Sequence, residues 1–303
     1  MAYSYTNEVA EKFLHQIEQG IAPFQIKTDV LNLAVPYNPV SNVKFYGFNM
    51  LNLMAEHKED PRWCTFNQCT KNGWFVKKGA RSTVLAFRQA QGKAEEYKYY
   101  HVFNAADIAR IPALEKSNPV LKAKESSDIE EAAYQMIKRL NPVIVNNKAT
   151  TTYDQGSNVI YMSPALYNTR LDYYADLFHQ VAHWTAHKSR LNRETAKIYN
   201  IDNSAKEELR THIACLMLAA ETGLGTCPHN IGEYSSAWIE VIKNDPKEIF
   251  KACTAANQIK DYILLGPEKY AELRKSWGQQ QSLQQDAAHK TPARNFSGAE
   301  IGF

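Results

Sequence analysis

His179 and His183 stand four residues apart, and this spacing constrains the second half of the chain more than any other feature. Side chains at i and i+4 share one face of a helix, so both imidazoles can reach a single cation only if the stretch between them is helical. A helix is therefore predicted from about Asp172 to about Ala186. His187 continues the same face, but eight helical residues span ~12 Å. That is too far for His179 and His187 to hold one ion, and leaves His187 a structural or ligand-facing role. Tyr173 and Tyr174 read as core packing.

The rest of the pattern gives an α+β chain of two domains. Val9, Phe13, Leu14 and Ile17 recur at helical spacing between Tyr5 and Gly20, where Gly20 is a C-terminal stop. A short helix is predicted over Asn49–His57, then strands Ser82–Arg88 and Tyr97–Phe103 joined by a polar turn, Gln89–Glu96. Residues 113–127 are polar, carry Pro119 and lack periodicity, which marks a linker between a first domain, 1–112, and a second, 128–275. The second opens with a helix, Asp128–Leu140, stopped by Asn141-Pro142, followed by strands Lys148–Tyr153 and Asn158–Met162. It is mainly helical thereafter, over Lys206–Thr222, Ile231–Lys243 and Pro246–Leu264. Residues 276–303 have the composition of a disordered tail. Five scattered cysteines without a C-x-x-C pair predict reduced thiols in a cytoplasmic protein. There is no 18-residue apolar run and no basic start before an apolar core, which predicts neither a membrane span nor a signal peptide.

His179-Gln180-Val181-Ala182-His183 is one atom-type away from H-E-x-x-H, the zinc-binding helix of metallopeptidases. In that motif the Glu is the general base that takes a proton from the attacking water. Gln180 is nearly isosteric but cannot accept the proton near neutral pH. The same five residues thus argue for a metal site and against efficient hydrolysis.

A second signal lies in residues 60–101, where eight Lys/Arg face three acidic residues, a local excess of five, against +3 for the whole chain. Trp63, Phe66, Trp74, Phe75, Phe87, Tyr97, Tyr99 and Tyr100 are interleaved with them. Cations that follow phosphates and aromatic faces that stack on bases bind single strands with little sequence preference. Composition alone leaves a solvated strand pair over an aromatic core equally open. Lys77, Lys78 and Arg81 flank Gly79 in a predicted turn and are the candidates for phosphate contacts. Trp74 follows Gly73 beside that turn and is the stacking candidate, with Trp63 and Phe66 assigned to the core. Tyr46 is a further DNA candidate, as is Asn49, which can equally cap the following helix.

Both halves resemble the ArdC-type antirestriction proteins of plasmids and phages, to about residue 265. In the first half the resemblance rests on Gly20, Pro23, Asn38, Tyr46-Gly47-Phe48-Asn49, Leu51, Leu53, Trp63, Thr65-Phe66, Gln68, Gly73, Val76-Lys77-Lys78-Gly79 and Phe103-Asn104. In the second it rests on Tyr153, Pro164, Tyr173-Tyr174, His179, His183, Thr185, His187, Arg190-Leu191, Arg193, Glu207-Glu208-Leu209, Trp238, Asp245 and Ala255-Ala256. It implies a single-stranded-DNA-binding domain followed by a zincin-like metallopeptidase domain, one bound zinc or another divalent ion, and protection of incoming DNA from host restriction. Host proteins bound to DNA are the implied peptide substrates.

The family has Glu at the position of Gln180, and tends to have Glu at the position of His212. The helix beginning near Lys206 is expected to supply the third ligand, and Glu208 and His212 are i, i+4 neighbours on it. In related zincins an acidic residue at the first such position binds the metal and one a turn later orients a ligand histidine. This favours Glu208 as ligand and leaves a three-histidine site with His212 open. Two further readings stand beside this one: an active DNA-dependent metallopeptidase in which Gln180 is an introduced substitution, and an interaction module with neither metal nor DNA affinity.

Overall fold

The computed structural model describes residues 5–26, 35–91, 94–114, 125–146, 150–193, 201–226 and 231–290. Helix α1 (Tyr5–Glu18) buries Val9, Phe13 and Ile17 along one face. Gly20 ends it as predicted. At φ 70° its N–H reaches Ile17 O at 3.1 Å while Ile21 N–H reaches Gln16 O at 2.9 Å, closing the last turn. Helix α2 (Gly47–Met54) begins two residues before the predicted start. Gly47 is required there: its φ is 57°, and a Cβ would lie 2.6 Å from Asn257 Nδ2.

Strand β1 (Trp63–Cys64), helix α3 (Phe66–Lys71), strand β2 (Phe75–Val76), the long strands β3 (Thr83–Gln91) and β4 (Ala94–Asn104), and β5 (Ile108–Ala109) complete this part. Helix α3 opens on a reciprocal cap. Thr65 Oγ1 accepts from Gln68 N–H, and Gln68 Oε1 accepts from Thr65 N–H at 2.9 Å. Antiparallel pairing orders the larger sheet β1-β4-β3, and β2 and β5 form a separate ribbon. The predicted Gln89–Glu96 turn is a correction: Gln89 pairs with Glu96 and Gln91 with Ala94, so the hairpin extends further than its polar composition suggested. A continuous ladder satisfies the backbone whatever the side chains are.

The second part starts with α4 (Ser126–Leu140), stopped by Asn141 in the left-handed region. Strands β6 (Val143–Asn146), β7 (Thr152–Asp154) and β8 (Val159–Met162) follow. β8 lies central, parallel to β6 and antiparallel to β7. Strand β6 was not predicted, and β7 begins later than the predicted strand. Helices α5 (Arg170–Trp184), α6 (Ile201–Thr222), α7 (Ile231–Asn244) and α8 (Glu248–Lys290) form the remainder. Helix α8 breaks at Gly266, φ 79°, ahead of Pro267. Its helical backbone runs on to Lys290, past Ser276, where composition predicts a disordered tail. Most of the predicted linker lies outside the described residues, as does Cys227.

The architecture is α+β, with antiparallel strand pairs in the first part, a mixed sheet in the second and helices dominating the second. One core runs through it. Phe13 and Phe24 join Trp238, Leu209, Ile213 and Ile259 in a single buried cluster. Phe24 meets Trp238 edge-on at 5.7 Å, and Trp238 Nε1–H donates to Ala205 O at 2.9 Å. Helix α1 packs on α7, and α2 on α8. The described cysteines, Cys64, Cys69, Cys215 and Cys253, are buried thiols outside any disulfide. Among the described residues no helix is long and apolar enough to cross a membrane.

Candidate functional site

Helix α5 is capped by Thr169, whose side chain accepts from Asp172 N–H at 3.0 Å, and is buried along most of its length. Packing α5 against α6 brings His179 and His183 opposite Glu207, Glu208 and His212. His179 Nε2 and His183 Nε2 are 3.2 Å apart. Each also faces an oxygen of Glu208, at 3.5 Å from His179 and 3.4 Å from His183. Donors at the corners of a tetrahedron with bonds of 2.0–2.1 Å lie about 3.3 Å apart. The imidazole pair matches that edge, and Glu208 offers Oε2 to His179 and Oε1 to His183 at similar range, so two imidazoles and one carboxylate suit a small divalent ion; His179, Glu208 and His212 also bring ligand atoms within 4.8 Å of one another. His212 Nε2 sits further off, 3.8 Å from Glu208, with its ring wedged between those of His179 and Trp238.

The charges agree with a cation site. Burial pushes the His179 imidazole down, and the adjacent His183 adds to this against the pull of Glu208. At His183 burial acts the same way, but Glu208 and Glu207 outweigh it and carry the group up to about 10. Glu208 is buried too, yet His183 and His179 hold it well below the usual carboxylate range. Glu207 is likewise lowered against its burial, by Arg193 and His183. Arg193 binds Glu207 at 2.5 Å, Thr185 Oγ1 at 2.7 Å and Ala182 O at 2.9 Å. It thereby ties the end of α5 to α6. His187 lies beyond α5 and bonds Ser189 Oγ at 2.8 Å, away from the cluster.

A cavity of about 500 Å³ opens over the histidines, lined by helical Asp176, Gln180, Glu207, Glu208 and Tyr234 and by Thr152 and Tyr153 of strand β7. Gln180 is 8% exposed and Asp176 1%. Gln180 Nε2–H donates to Asp176 Oδ1 at 3.4 Å, and the Tyr167 hydroxyl donates to the other oxygen of Asp176. Sequence reasoning missed Asp176, although its position one turn before Gln180 is the signal that could have found it.

In the first part, Lys77, Lys78 and Arg81 are exposed around Gly79, which takes φ 85°. The Lys77 ammonium donates to Ala106 O at 2.8 Å. Tyr46 is 52% exposed, with Lys260 Nζ 5.7 Å from its ring centroid. Asn49 is not a helix cap: it lies inside α2 and clamps β3, donating to Ala86 O at 2.8 Å and accepting from Ala86 N–H at 3.1 Å. Trp63 is core, as predicted. Phe66, predicted to be core, is 58% exposed. Trp74 packs partly buried against Cys64, Cys69 and Ile108.

Residues 4–141 match the N-terminal domain of anti-restriction factor ArdC, and residues 131–255 match a zincin-like metallopeptidase family. The chain joins an ArdC-type N-terminal domain to a zincin-like metallopeptidase domain. It superposes on the Mn(II)-bound antirestriction ArdC protein of plasmid R388 with a TM-score of 0.71 and 26% identity, covering 86% of this chain and 97% of that one. The metal-free structure of the same protein gives 0.68 and 25%, covering 89% and 99%. A DNA primase TraC of Escherichia coli is 28% identical over 304 residues, which is 88% of this chain. This chain spans 27% of that primase's length.

Proposed function

We propose that this chain is an antirestriction-type protein that binds single-stranded DNA through its first part and holds one zinc ion through His179, His183 and Glu208, with peptide hydrolysis impaired or absent. The observation that carries the reading is the amide of Gln180 beside three donors spaced for a single ion. Two imidazoles and a carboxylate favour zinc over manganese in the ordinary affinity order, although a relative carries Mn(II). His212 packs its ring on His179 and is the alternative third ligand, its donor lying close to His179 and Glu208. A divalent ion at this place supplies Lewis acidity toward an acyl oxygen.

The protein's own groups decide the rest. Gln180 can hold a water or a peptide group by hydrogen bonds, but it stores no proton and delivers none to a leaving amine. General acid–base catalysis contributes ~10²–10⁴-fold, so the site fits retention of a peptide or DNA-bound protein better than its cleavage. Lys77, Lys78 and Arg81 supply phosphate contacts, Tyr46 backed by Lys260 offers an exposed ring, and Asn49 holds β3 in place for them. Trp74 contributes through its packing under the turn. Two measurements test this. Metal analysis after zinc loading should find one ion per chain, and protease assays with single-stranded DNA should show no cleavage, with zinc-dependent turnover appearing only in Gln180 variants that restore a carboxylate. Cleavage by the unaltered chain, or no ion bound, refutes the reading.

A further inference from the structure

We infer that Phe75 and Arg110 form a base-stacking platform, with the phosphates on either side of the stacked base running along the Lys77–Arg81 turn. This rests on the reading of the first part as a single-strand binder. Strand β2 is two residues long, and its neighbours set the ring's direction. Trp74 and Val76 pack downward on Cys64, Cys69 and Ile108. Phe75 lies between them, so the pleat turns it the other way. It is 54% exposed. Its cross-strand partner on β5 is Ala109, too small to cover it. Arg110 follows directly, in the left-handed region at φ 63°, and its guanidinium carbon lies 4.9 Å from the Phe75 centroid.

The surroundings name the ligand. The ribbon leads straight into Lys77, Lys78 and Arg81, all exposed. The nearest acid on the β5 side, Asp107, is paired with Lys58 at 3.2 Å. A flat apolar ring with an adjoining planar cation suits an unstacked base, and a row of exposed cations suits phosphodiesters. Duplex DNA offers no free base face, so the occupant is a single strand. The ring that sequence reasoning chose, Trp74, is already engaged beneath this surface, whereas Phe75 is open. A surface Phe–Arg pair with no ligand is the bland explanation, and the experiment separates the two.

Anisotropy would be measured with a labelled oligo(dT) and an abasic oligomer of equal length, across a salt series, for the unaltered chain, Phe75→Ala, Phe75→Trp and Lys77→Ala/Lys78→Ala. Losing one stacked base lowers affinity roughly 5- to 150-fold. Phe75→Ala should show that loss on oligo(dT), with an unchanged salt slope and no change on the abasic strand, and Phe75→Trp should retain binding. The double lysine variant should flatten the slope by about 0.7 per lost phosphate contact. If Phe75→Ala binds oligo(dT) like the unaltered chain, or loses equally on both oligomers, the platform is wrong while single-strand binding stands. If the unaltered chain binds neither oligomer at low salt, the underlying reading falls as well.

Discussion

Restoring a glutamate at position 180 should destabilise the metal-free protein, because Asp176 is already there. In the chain as it stands, the Gln180 amide donates to Asp176 across 3.4 Å. With Gln180→Glu, two carboxylates face each other at that distance, both deeply buried. At an effective dielectric constant of about 20, unit charges 3.4 Å apart repel by about 5 kcal/mol. The penalty has a ceiling, since an ordinary glutamate can instead take up a proton at pH 7 for about 4 kcal/mol. His183 offers little relief, because Glu207 and Glu208 already face it. The expected loss is therefore about 2–4 kcal/mol. Asp176→Asn removes the second charge, so the double variant should regain most of it. Urea unfolding of the four proteins in EDTA at pH 7 reads the coupling directly. Gln180→Glu within about 0.5 kcal/mol of the parent, or a coupling no larger than that, would show that the pair does not interact as described. The same cycle bears on activity: a zinc-dependent peptidase regained by Gln180→Glu should be stronger when Asp176→Asn accompanies it.

Other changes probe the metal centre and its supports. Glu208→Ala should abolish stoichiometric zinc binding, whereas His212→Ala should weaken it by ~10–100-fold; competition with a chelating dye measures both, and the opposite ranking would make His212 the ligand. Zinc at a hundred times its dissociation constant should stabilise the parent by ~2.7 kcal/mol, visible as a raised melting temperature that EDTA reverses. Arg193→Met leaves buried Glu207 facing His183 at 3.8 Å and Arg210 at 4.0 Å in place of its close guanidinium partner; a loss of about 3 kcal/mol is expected in urea. Gly47→Ala should cost ~1–2 kcal/mol from its left-handed φ, plus a contact with Asn257 that Asn257→Ala relieves, so that the double variant recovers only the steric share.

The helices were legible because apolar periodicity and stops such as Gly20 and Asn141 leave strong marks on a sequence. The pairing of α5 with α6 was legible through the family resemblance, which expects the helix near Lys206 to face the histidines; the His179–His183 spacing alone is too common to specify it. Strand β6 was not, being four residues with little burial and no alternation to detect. The Phe66 reading failed for a related reason: it opens a six-residue helix too short to show a period, just as Trp74 adjoins a two-residue strand and its packing is settled by Cys64, Cys69 and Ile108 from other elements. Asn49 misled because a polar residue near a helix start looks like a cap, while its partner Ala86 lies thirty-seven residues away.

The core that joins Phe13 and Phe24 to Trp238 carries one more implication. A helix from the amino-terminal end seals the apolar interior beneath the histidine pair, so heat or denaturant should dissolve both parts in one cooperative step. Whatever protects the chain against melting at one end protects it at the other, and a tight ligand on either surface would raise the melting point of both.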